Sequence, residues 1–197
     1  MKEILFASRN EGKIQEARAL LRDCGIKLYS IDDFPGAPEV DENGTTFYEN
    51  ALKKAETLSK YAGLPAIADD SGLEVNHLEG RPGVHSSRYA GENATDADNI
   101  SLLLKELEGV PSEKRGAAFR CVLVLYKIDG SHRCFEGSFE GTIALKASGT
   151  GGFGYDPVFL PADDGRTLAE LAPEEKNRIS HRGRAFEKLK QYINNEL

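Results

Sequence analysis

The sequence predicts an α/β fold in which a mixed β-sheet is flanked by helices. Strand-like apolar runs alternate with amphipathic helical segments in the first third of the chain, an order typical of parallel strands. Adjacent long strands follow, and the dipeptide Asp129-Gly130 between two of them indicates a hairpin. Because crossover helices give parallel pairs and hairpins give antiparallel pairs, the sheet is expected to be mixed, with the long hairpin forming or extending a second lobe.

Hydrophobic periodicity and turn signals locate the individual elements. In order, they are a strand at 3–8, a helix at 12–23, a strand at 26–30, a helix at 46–62, a strand at 65–69, a strand near 72–76, a helix at 96–108, strands at 117–128 and 132–146, a short strand at 157–160, and helices at 173–178 and 181–195. The 197 residues show no internal repeat and no low-complexity linker, so we treat residues 1–197 as one domain.

Composition and charge exclude several classes of protein. The net charge is −7, from 25 basic and 32 acidic residues, and no long basic run suggests a nucleic-acid-binding face. The longest apolar run, Cys121–Tyr126, is far too short to cross a membrane, and Ile4–Ala7 is too short for a signal-peptide core. The three cysteines form no CxxC pair, which indicates reduced thiols. We therefore expect a cytoplasmic protein without nucleic-acid or membrane partners.

The stretch SRNEGK at residues 8–13 joins the first strand to the first helix. The start of a helix presents backbone N–H groups and the positive end of the helix dipole, which together favour an anion. The stretch lacks the spacing of a Walker A loop. The alternative, which this segment taken alone favours, is a simple turn in which Gly12 gives backbone freedom and Lys13 is solvated.

Two acidic pairs are candidates for metal binding and acid–base chemistry. Asp41 and Glu42 lie just before the second helix, and Asp69 and Asp70 are expected at the carboxyl end of the strand at 65–69, where ligands gather in open α/β sheets. Carboxylates are the ligands that Mg²⁺ takes alongside substrate phosphates. Adjacent strand residues face opposite sides, so only one of Asp69 and Asp70 should enter a given site. The alternative is a turn capped by aspartate.

Two neighbouring lysines on the helix at 46–62 differ in their predicted environment. At 100° per residue, Lys54 falls about 60° from the centre of the apolar stripe and Lys53 about 160° away. Lys53 is therefore predicted to be solvated. Lys54 borders the buried face, where it must either find an anion or extend its ammonium group to solvent.

The glycine-rich loop at 149–154 has the spacing GxGxxG of a dinucleotide-binding loop. A dinucleotide fingerprint must run into a helix, whereas Pro157 and a strand-like run follow here, so we reject a Rossmann site. The glycines would still let a backbone approach a flat ligand, with Phe153 available for stacking.

Three basic residues surround the predicted helix start at 181. Lys176, His181 and Arg182 are expected to cluster there, with Ser180 as the cap, and to read an anion or a purine edge. The alternative is an ordinary basic surface helix. Together with Lys13, Lys54, the acidic pairs and Phe153, the set is consistent with a magnesium-dependent nucleotide hydrolase.

The chain resembles the inosine triphosphate pyrophosphatase family over essentially its whole length. The stretches that carry the resemblance are SRNEGK, ENGTTFYENALKKA, PAIADDSGL, GRPGVHSSRYAG, GTGGFGYDPVF and EEKNRISHRGRA. The resemblance implies an elongated, two-lobed α/β fold with the active site in the cleft between the lobes, usually in a homodimer. It also implies Mg²⁺-dependent hydrolysis of dITP, ITP and XTP to the monophosphate and pyrophosphate.

The resemblance also assigns roles to individual residues. Asp70 would be catalytic and bind metal, Lys54 would be catalytic, and Asp41 or Glu42 would supply the second metal carboxylate. The implied substrate-binding residues are Ser8, Arg9, Asn10, Glu11, Gly12, Lys13, Ser71, Phe153, Gly154, Tyr155, Asp156, Lys176, His181 and Arg182. Ser8-Arg9 departs mildly from the family pattern, in which glycine or histidine is expected after the hydroxyl residue.

Two other functions compete with this interpretation. One is a related pyrophosphatase that acts on modified pyrimidine nucleotides or on standard nucleoside triphosphates. The other is a non-catalytic module that senses nucleotide levels. The carboxylates at 41–42 and 69–70 favour an enzyme over the sensor, because binding alone gains little from an acid that activates water.

Overall fold

The structure is a computed structural model that describes residues 2–162 and 164–196. The chain forms two compact units. Unit 1 comprises Met1–Asp70, Cys121–Gly137 and Arg182–Leu197, and unit 2 comprises Ser71–Arg120 and Ser138–His181. Within the described residues, no helix is long and apolar enough to cross a membrane.

The sheet is mixed and has helices beside it, as the sequence predicts. Its strands are β1 (Lys2–Phe6), β2 (Ile26–Ser30), β3 (Ala66–Val75), β4 (Gly116–Tyr126), β5 (His132–Ile143) and β6 (Phe159–Pro161), in the order β2-β1-β3-β4-β5-β6. The helices are α1 (Glu11–Leu20), α2 (Phe47–Ala62), α3 (Asp96–Glu106), α4 (Pro173–Ile179) and α5 (His181–Glu196). Strand β1 pairs in parallel with β2 and β3, whereas β6 is antiparallel to β5. The predicted α/β fold is confirmed.

In unit 1 the strands alternate their side chains between two apolar clusters. Successive strand residues point to opposite faces of the sheet, so each strand contributes to both clusters. Helices α1 and α5 cover one face, and α2 covers the other. The first cluster contains Ile4, Phe6, Ile67, Cys121, Leu123 and Leu125 from the strands with Ile14, Ala17, Phe186 and Leu189 from the helices. The second contains Leu5, Ala7, Ala66, Ala68, Val122 and Val124 with Ala51, Ala55 and Leu58 of α2.

Unit 2 has an apolar core of its own. Its buried residues include Leu73 and Val75 of β3, Phe119 of β4, Phe139 and Ile143 of β5, Phe159 of β6, and Leu103 and Leu107 of α3. Buried Arg115 donates to the carbonyls of Leu107, Ile143 and Ala144 at 2.7–2.8 Å, which ties the end of α3 to the end of β5.

Helix α2 begins and ends at strong local signals. Thr46 accepts a hydrogen bond from the Glu49 amide, and the Glu49 carboxylate accepts one from the Thr46 amide, which is a capping box. The helix ends at Gly63, whose φ of +65° is readily adopted only by glycine. These signals fix the helical phase, and with it the directions of Lys53 and Lys54.

The prediction of two separate strands at 65–69 and 72–76 is wrong. A single strand, β3, runs through Asp69-Asp70-Ser71-Gly72, residue types that seldom occur inside strands. Both carboxylates therefore lie in the middle of a strand and not at its carboxyl end. Burial and ionic partners outweigh the local propensity at these positions.

The remaining elements agree with prediction apart from their ends. The largest differences are that α1 ends at Leu20 and not 23, and β5 ends at Ile143 and not 146. The glycine-rich loop leads into a 3₁₀ turn at Asp156–Val158 and then β6, so the rejection of a Rossmann site is confirmed.

Candidate active site

The turn at residues 8–13 is an exposed or half-buried cap on α1. Asn10 is the N-cap, and its side chain accepts a hydrogen bond from the Lys13 amide at 3.0 Å. The Ser8 hydroxyl accepts one from the Asn10 amide at 3.2 Å. Arg9 turns away from the cap and donates to the Ala37 carbonyl at 3.2 Å. The helix begins at Glu11, so Lys13 lies in its first turn, where an anion is favoured.

Asp69 is at the centre of a buried ion cluster that we define as Asp69, Lys13, Arg182 and Glu16. The Asp69 carboxylate lies 3.0 Å from the Lys13 ammonium and 3.3 Å from the Arg182 guanidinium, which also contacts Glu16 at 2.5 Å. Burial by itself would raise the pKa of Asp69, but Lys13 and Arg182 hold that pKa well below its usual range. Asp69 is therefore a fixed anion that orients the Lys13 ammonium.

Asp70 faces the other side of β3. The residue is 6% exposed, and its carboxylate accepts a hydrogen bond from Asn50 of α2 at 2.9 Å. Burial raises the pKa of Asp70, and the charges of Lys54 and Lys13 only partly offset this effect. A carboxylate with a raised pKa is a better proton acceptor near neutral pH than an exposed one. The predicted division of Asp69 and Asp70 between two faces is therefore confirmed.

Lys54 and Lys53 occupy different environments on α2, as predicted from the helical phase. Lys54 is buried, and its ammonium lies 3.0 Å from the Glu42 carboxylate. Burial would lower the pKa of Lys54, but the charges of Glu42, Asp69 and Asp70 raise it above its usual value. Lys53 is exposed and donates to the Asp41 carbonyl at 2.7 Å and to Asn43 at 3.0 Å.

These contacts distinguish the two candidates for the upstream metal carboxylate. The half-buried Glu42 carboxylate faces Lys54 and raises the pKa of Asp70, so Glu42 and Asp70 repel each other. A divalent cation would relieve this repulsion, and the donor set of hard oxygens suits Mg²⁺. Asp41 is exposed, and the contact that places it is made by its backbone carbonyl.

Within the part of the chain that the structure describes, the acidic side chains around Glu42 and Asp70 are few. Across residues 2–162 and 164–196, no group of three or more His, Cys, Asp or Glu side chains is arranged to hold a metal ion. Mg²⁺ is usually bound through one or two carboxylates, with water and substrate phosphates completing its octahedral shell. Glu42 and Asp70 would supply two such carboxylates.

The contrast between the two lysines gives a direct prediction. We expect Lys54→Ala to lower kcat/KM for the substrate by about 100-fold or more, because it removes a buried cation from beside two carboxylates; this corresponds to ~2.7 kcal/mol of barrier. Lys53→Ala, the matched control one residue away, should stay within about threefold, or ~0.6 kcal/mol. Steady-state kinetics on both variants make the comparison. Equal losses would show that Lys54 has no special access to the substrate.

In unit 2, Lys176 holds together two of the predicted base-binding residues. Its buried ammonium lies 2.6 Å from the Asp156 carboxylate and 4.6 Å from the centroid of the Phe153 ring. The same Asp156 oxygen accepts the Phe153 amide at 2.9 Å. A Cβ at Gly152 would collide with that carboxylate, so glycine is required there. The result is an aromatic ring held by a cation, next to a fixed carboxylate.

The loop that carries Phe153 is held at two further points. The Tyr155 hydroxyl donates to the Ser86 carbonyl at 2.9 Å, and the Gly154 amide donates to the Asp96 carboxylate at 2.7 Å. Ser71, which follows Asp70 on β3, is half-buried. The fixed loop backbone suits the recognition of a rigid ligand such as a purine.

Lys176, His181 and Arg182, which were predicted to cluster at the start of α5, each contact a different residue. Lys176 contacts Asp156, and His181 stacks on Phe119 with ring centroids 4.7 Å apart and planes 12° apart. Arg182 belongs to the buried ion cluster. All three are buried, so the alternative of an ordinary basic surface helix is wrong.

Several residues beside the predicted set were not found from the sequence. Asn50 lies about 40° from Lys54 on the helical wheel but about 100° from the centre of the apolar stripe, so the helical phase does not mark it as buried. The others are Glu16, Asp96 and Phe119, each of which acts on a residue distant in sequence. No local pattern marks them.

Comparison with known proteins agrees with the motifs. A model of the Ham1 family matches residues 4–192. A dITP/XTP pyrophosphatase from Geobacter sulfurreducens is 51% identical over 193 residues, which cover 98% of this chain and 97% of that protein. A dITP/XTP pyrophosphatase from Geobacillus kaustophilus is 53% identical over 189 residues, covering 96% of this chain and 93% of that protein.

Solved structures show the same relationship. The structure of a HAM1 protein from Coxiella burnetii has a TM-score of 0.90 and 46% identity, covering 98% of this chain and 99% of that one. The Staphylococcus aureus Ham1 protein has a TM-score of 0.88 and 40% identity, covering 100% of both chains. The resemblance predicted from the motifs is thus confirmed, and the chain belongs to the Ham1 family.

Proposed function

We propose that this protein hydrolyses the non-standard purine nucleotides dITP, ITP and XTP to the monophosphate and pyrophosphate, with Mg²⁺ as its cofactor. Its class, a nucleoside triphosphate pyrophosphatase, follows from its family and its identity of about 50% to curated dITP/XTP pyrophosphatases. The observation that carries the proposal is the buried Asp70 carboxylate, with its raised pKa, beside the cation Lys54. Asp70 can accept a proton in this arrangement, while Lys54 offsets the negative charge of a phosphate bound nearby.

Asp70 acts as the general base in this mechanism. Its carboxylate accepts a proton from the attacking water, whose oxygen bonds to phosphorus as the anhydride bond between the α and β phosphates breaks. Pyrophosphate leaves with the electron pair of that bond. One water is consumed for each nucleotide, and the proton that Asp70 holds returns to solvent at the end of the cycle.

The cations of unit 1 hold the triphosphate. Lys13, aimed by Asp69, and the first turn of α1 bind phosphate oxygens, while Lys54 neutralises charge near Asp70. Mg²⁺, when bound, would be held by Glu42 and Asp70 and would neutralise charge on the phosphates. We choose Glu42 over Asp41 for this role because the Glu42 carboxylate faces Lys54.

The residues held by Lys176 bind the base. Phe153 stacks on the purine ring, and the Lys176 ammonium, which has only donors, donates a hydrogen bond to the 6-oxo oxygen. An adenine would present its 6-amino group to the same donor and leave polar groups unmatched, at about 1–3 kcal/mol each. Arg182 was predicted to share this task. We assign base selection first to Lys176, because its ammonium lies 4.6 Å from the Phe153 ring that would stack on the base, whereas the Arg182 guanidinium is held by Asp69 and Glu16.

A single assay tests the proposal. Purified protein with Mg²⁺ should convert ITP, dITP and XTP to monophosphate and pyrophosphate, with kcat/KM at least about tenfold above that for ATP, which corresponds to ~1.4 kcal/mol. Excess EDTA should abolish turnover. Turnover of modified pyrimidine nucleotides in place of ITP would support the rival pyrophosphatase, and tight ITP binding without turnover would support the sensor.

The remaining parts of the proposal concern the localisation and the oligomeric state of the protein. We propose a cytoplasmic homodimer, as the family resemblance implies. Light scattering on the purified protein tests the assembly: a mass of 21.6 kDa would be the monomer, and twice that mass the dimer.

A further inference from the structure

Asn50 is a buried amide that takes part in neither the phosphate contacts nor the proton transfer assigned above. It lies on α2 and is 1% exposed. Its Oδ1 accepts a hydrogen bond from the Gly44 amide at 2.7 Å, and its Nδ2 donates to Oδ2 of Asp70 at 2.9 Å. The Gly44 N–H only donates and a carboxylate only accepts, so the partners fix which way the amide points. A flipped amide would lose both bonds.

The two hydrogen bonds of Asn50 connect the loop that carries Glu42 with strand β3, which carries Asp70. Gly44 lies two residues after Glu42, in the loop that precedes α2, and Asp70 lies on β3. A Cβ at Gly44 would come within 2.7 Å of the Asn50 oxygen and 2.8 Å of the Glu49 Cβ, so this loop packs directly on the helix. One side chain therefore joins the loop that carries Glu42 to the carboxylate of Asp70.

We propose that Asn50 is a positioning residue for the hydrolysis reaction, which holds Asp70 and the Glu42 loop in a fixed mutual arrangement. The hydrogen bond from Asn50 to Oδ2 fixes the rotation of the Asp70 carboxylate about its Cβ–Cγ bond. The hydrogen bond from the Gly44 amide to Asn50 fixes the position of the Glu42 loop relative to α2. This inference rests on the proposed function. Residues that orient metal ligands and catalytic groups in this way typically contribute about 10–100-fold to activity or metal affinity.

A second buried asparagine provides a matched control. Asn99 of α3 is 2% exposed, accepts the Ala90 amide at 2.8 Å and donates to the Ser87 carbonyl at 3.1 Å. It makes the same number of bonds from a comparable helix position, but to backbone groups that we assign no part in the reaction. Asn50→Ala and Asn99→Ala should therefore lose similar stability and differ in activity.

The experiment measures kcat and KM for ITP with Mg²⁺, and the thermal midpoint, in the wild type and three variants. Asn50→Ala should lower kcat by about 10–100-fold, with KM within about threefold. Asn50→Asp is nearly isosteric and keeps the acceptor for Gly44, but sets an anion against Asp70. It should fold and still lose kcat by about tenfold or more. Asn99→Ala should keep kcat within about threefold of the wild type, ~0.6 kcal/mol.

A second measurement does not depend on turnover. An ITP analogue with an imido bridge between the α and β phosphates should raise the thermal midpoint of all four proteins in EDTA. The additional rise on adding Mg²⁺ should shrink in both Asn50 variants and persist in Asn99→Ala. The positioning role would be overturned if either Asn50 variant kept the wild-type kcat. It would also be overturned if the Asn50 variants lost no more kcat, or no more of the Mg²⁺-dependent rise, than Asn99→Ala. Failure of the wild type to hydrolyse ITP would instead refute the proposed function.

Discussion

Asp70→Asn should abolish turnover of ITP while leaving nucleotide binding measurable. The substitution removes the proton acceptor and one of the two metal carboxylates but keeps the shape of the side chain and an oxygen to accept from Asn50. Loss of a general base typically costs about 10²–10⁴-fold in rate. The measurement is kcat with Mg²⁺, with binding of the imido analogue as the control for folding. Activity within about threefold of wild type, ~0.6 kcal/mol of barrier, would contradict the role.

The same variant should be at least as stable as the wild type. Because burial raises the pKa of Asp70 above its value in the unfolded chain, ionisation at neutral pH opposes folding at this position. A neutral asparagine avoids that cost, so the thermal midpoint should stay constant or rise. A loss of activity combined with unchanged or higher stability is the signature of a catalytic group held in an unfavourable environment. A large fall in the midpoint would show that Asp70 is mainly structural.

Arg182→Ala should produce the largest loss of stability. It removes the guanidinium from the buried ion cluster and leaves Asp69, which is 1% exposed, and Glu16 with less compensating charge. Breaking a buried ion pair typically costs about 3–5 kcal/mol. For a chain of this size that corresponds to a fall of roughly 6–20 °C in the thermal midpoint. Denaturant unfolding and calorimetry measure it.

A neighbour on the same helix provides the control for Arg182. Arg184 is exposed, where water screens any charge interaction, and Arg184→Ala should change stability by no more than about 1 kcal/mol. Comparing Arg182→Ala with Arg184→Ala also distinguishes a structural role of Arg182 from a role in base recognition. For this comparison, kinetics are measured well below the thermal midpoint of Arg182→Ala. A midpoint unchanged in Arg182→Ala, together with loss of the preference for ITP over ATP, would identify Arg182 as a base reader and contradict the structural role of the ion cluster.

Local patterns in the sequence account for most of the fold and part of the candidate site. The apolar runs of β1 and β4, the helical phase of α2 and the Asp129-Gly130 turn each depend on residues close in sequence, and each was predicted. The contrast between Lys53 and Lys54 followed from the same helical phase. These features need no knowledge of tertiary packing.

The features that the sequence did not reveal depend on long-range contacts. The continuity of β3 through Asp69 and Asp70 depends on the partners Lys13, Arg182 and Asn50, which lie elsewhere in the chain. The sequence placed Arg182 with Lys176, because the two are close along the chain. Their actual partners, Asp69 and Asp156, are set by tertiary packing that no periodicity records.

The position of Asp70 in the interior of β3 has a consequence for motion. Amide groups in the middle of a buried strand exchange with solvent only when a large part of the domain opens, whereas exposed turns fluctuate freely. The proton acceptor therefore lies on backbone that opens only with a large part of the domain. Movement that admits a nucleotide is therefore expected in exposed segments such as the turn at 8–13. On heating, activity should therefore be lost only when β3 unfolds. There should be no lower temperature at which the protein is folded but the Asp70 carboxylate is displaced.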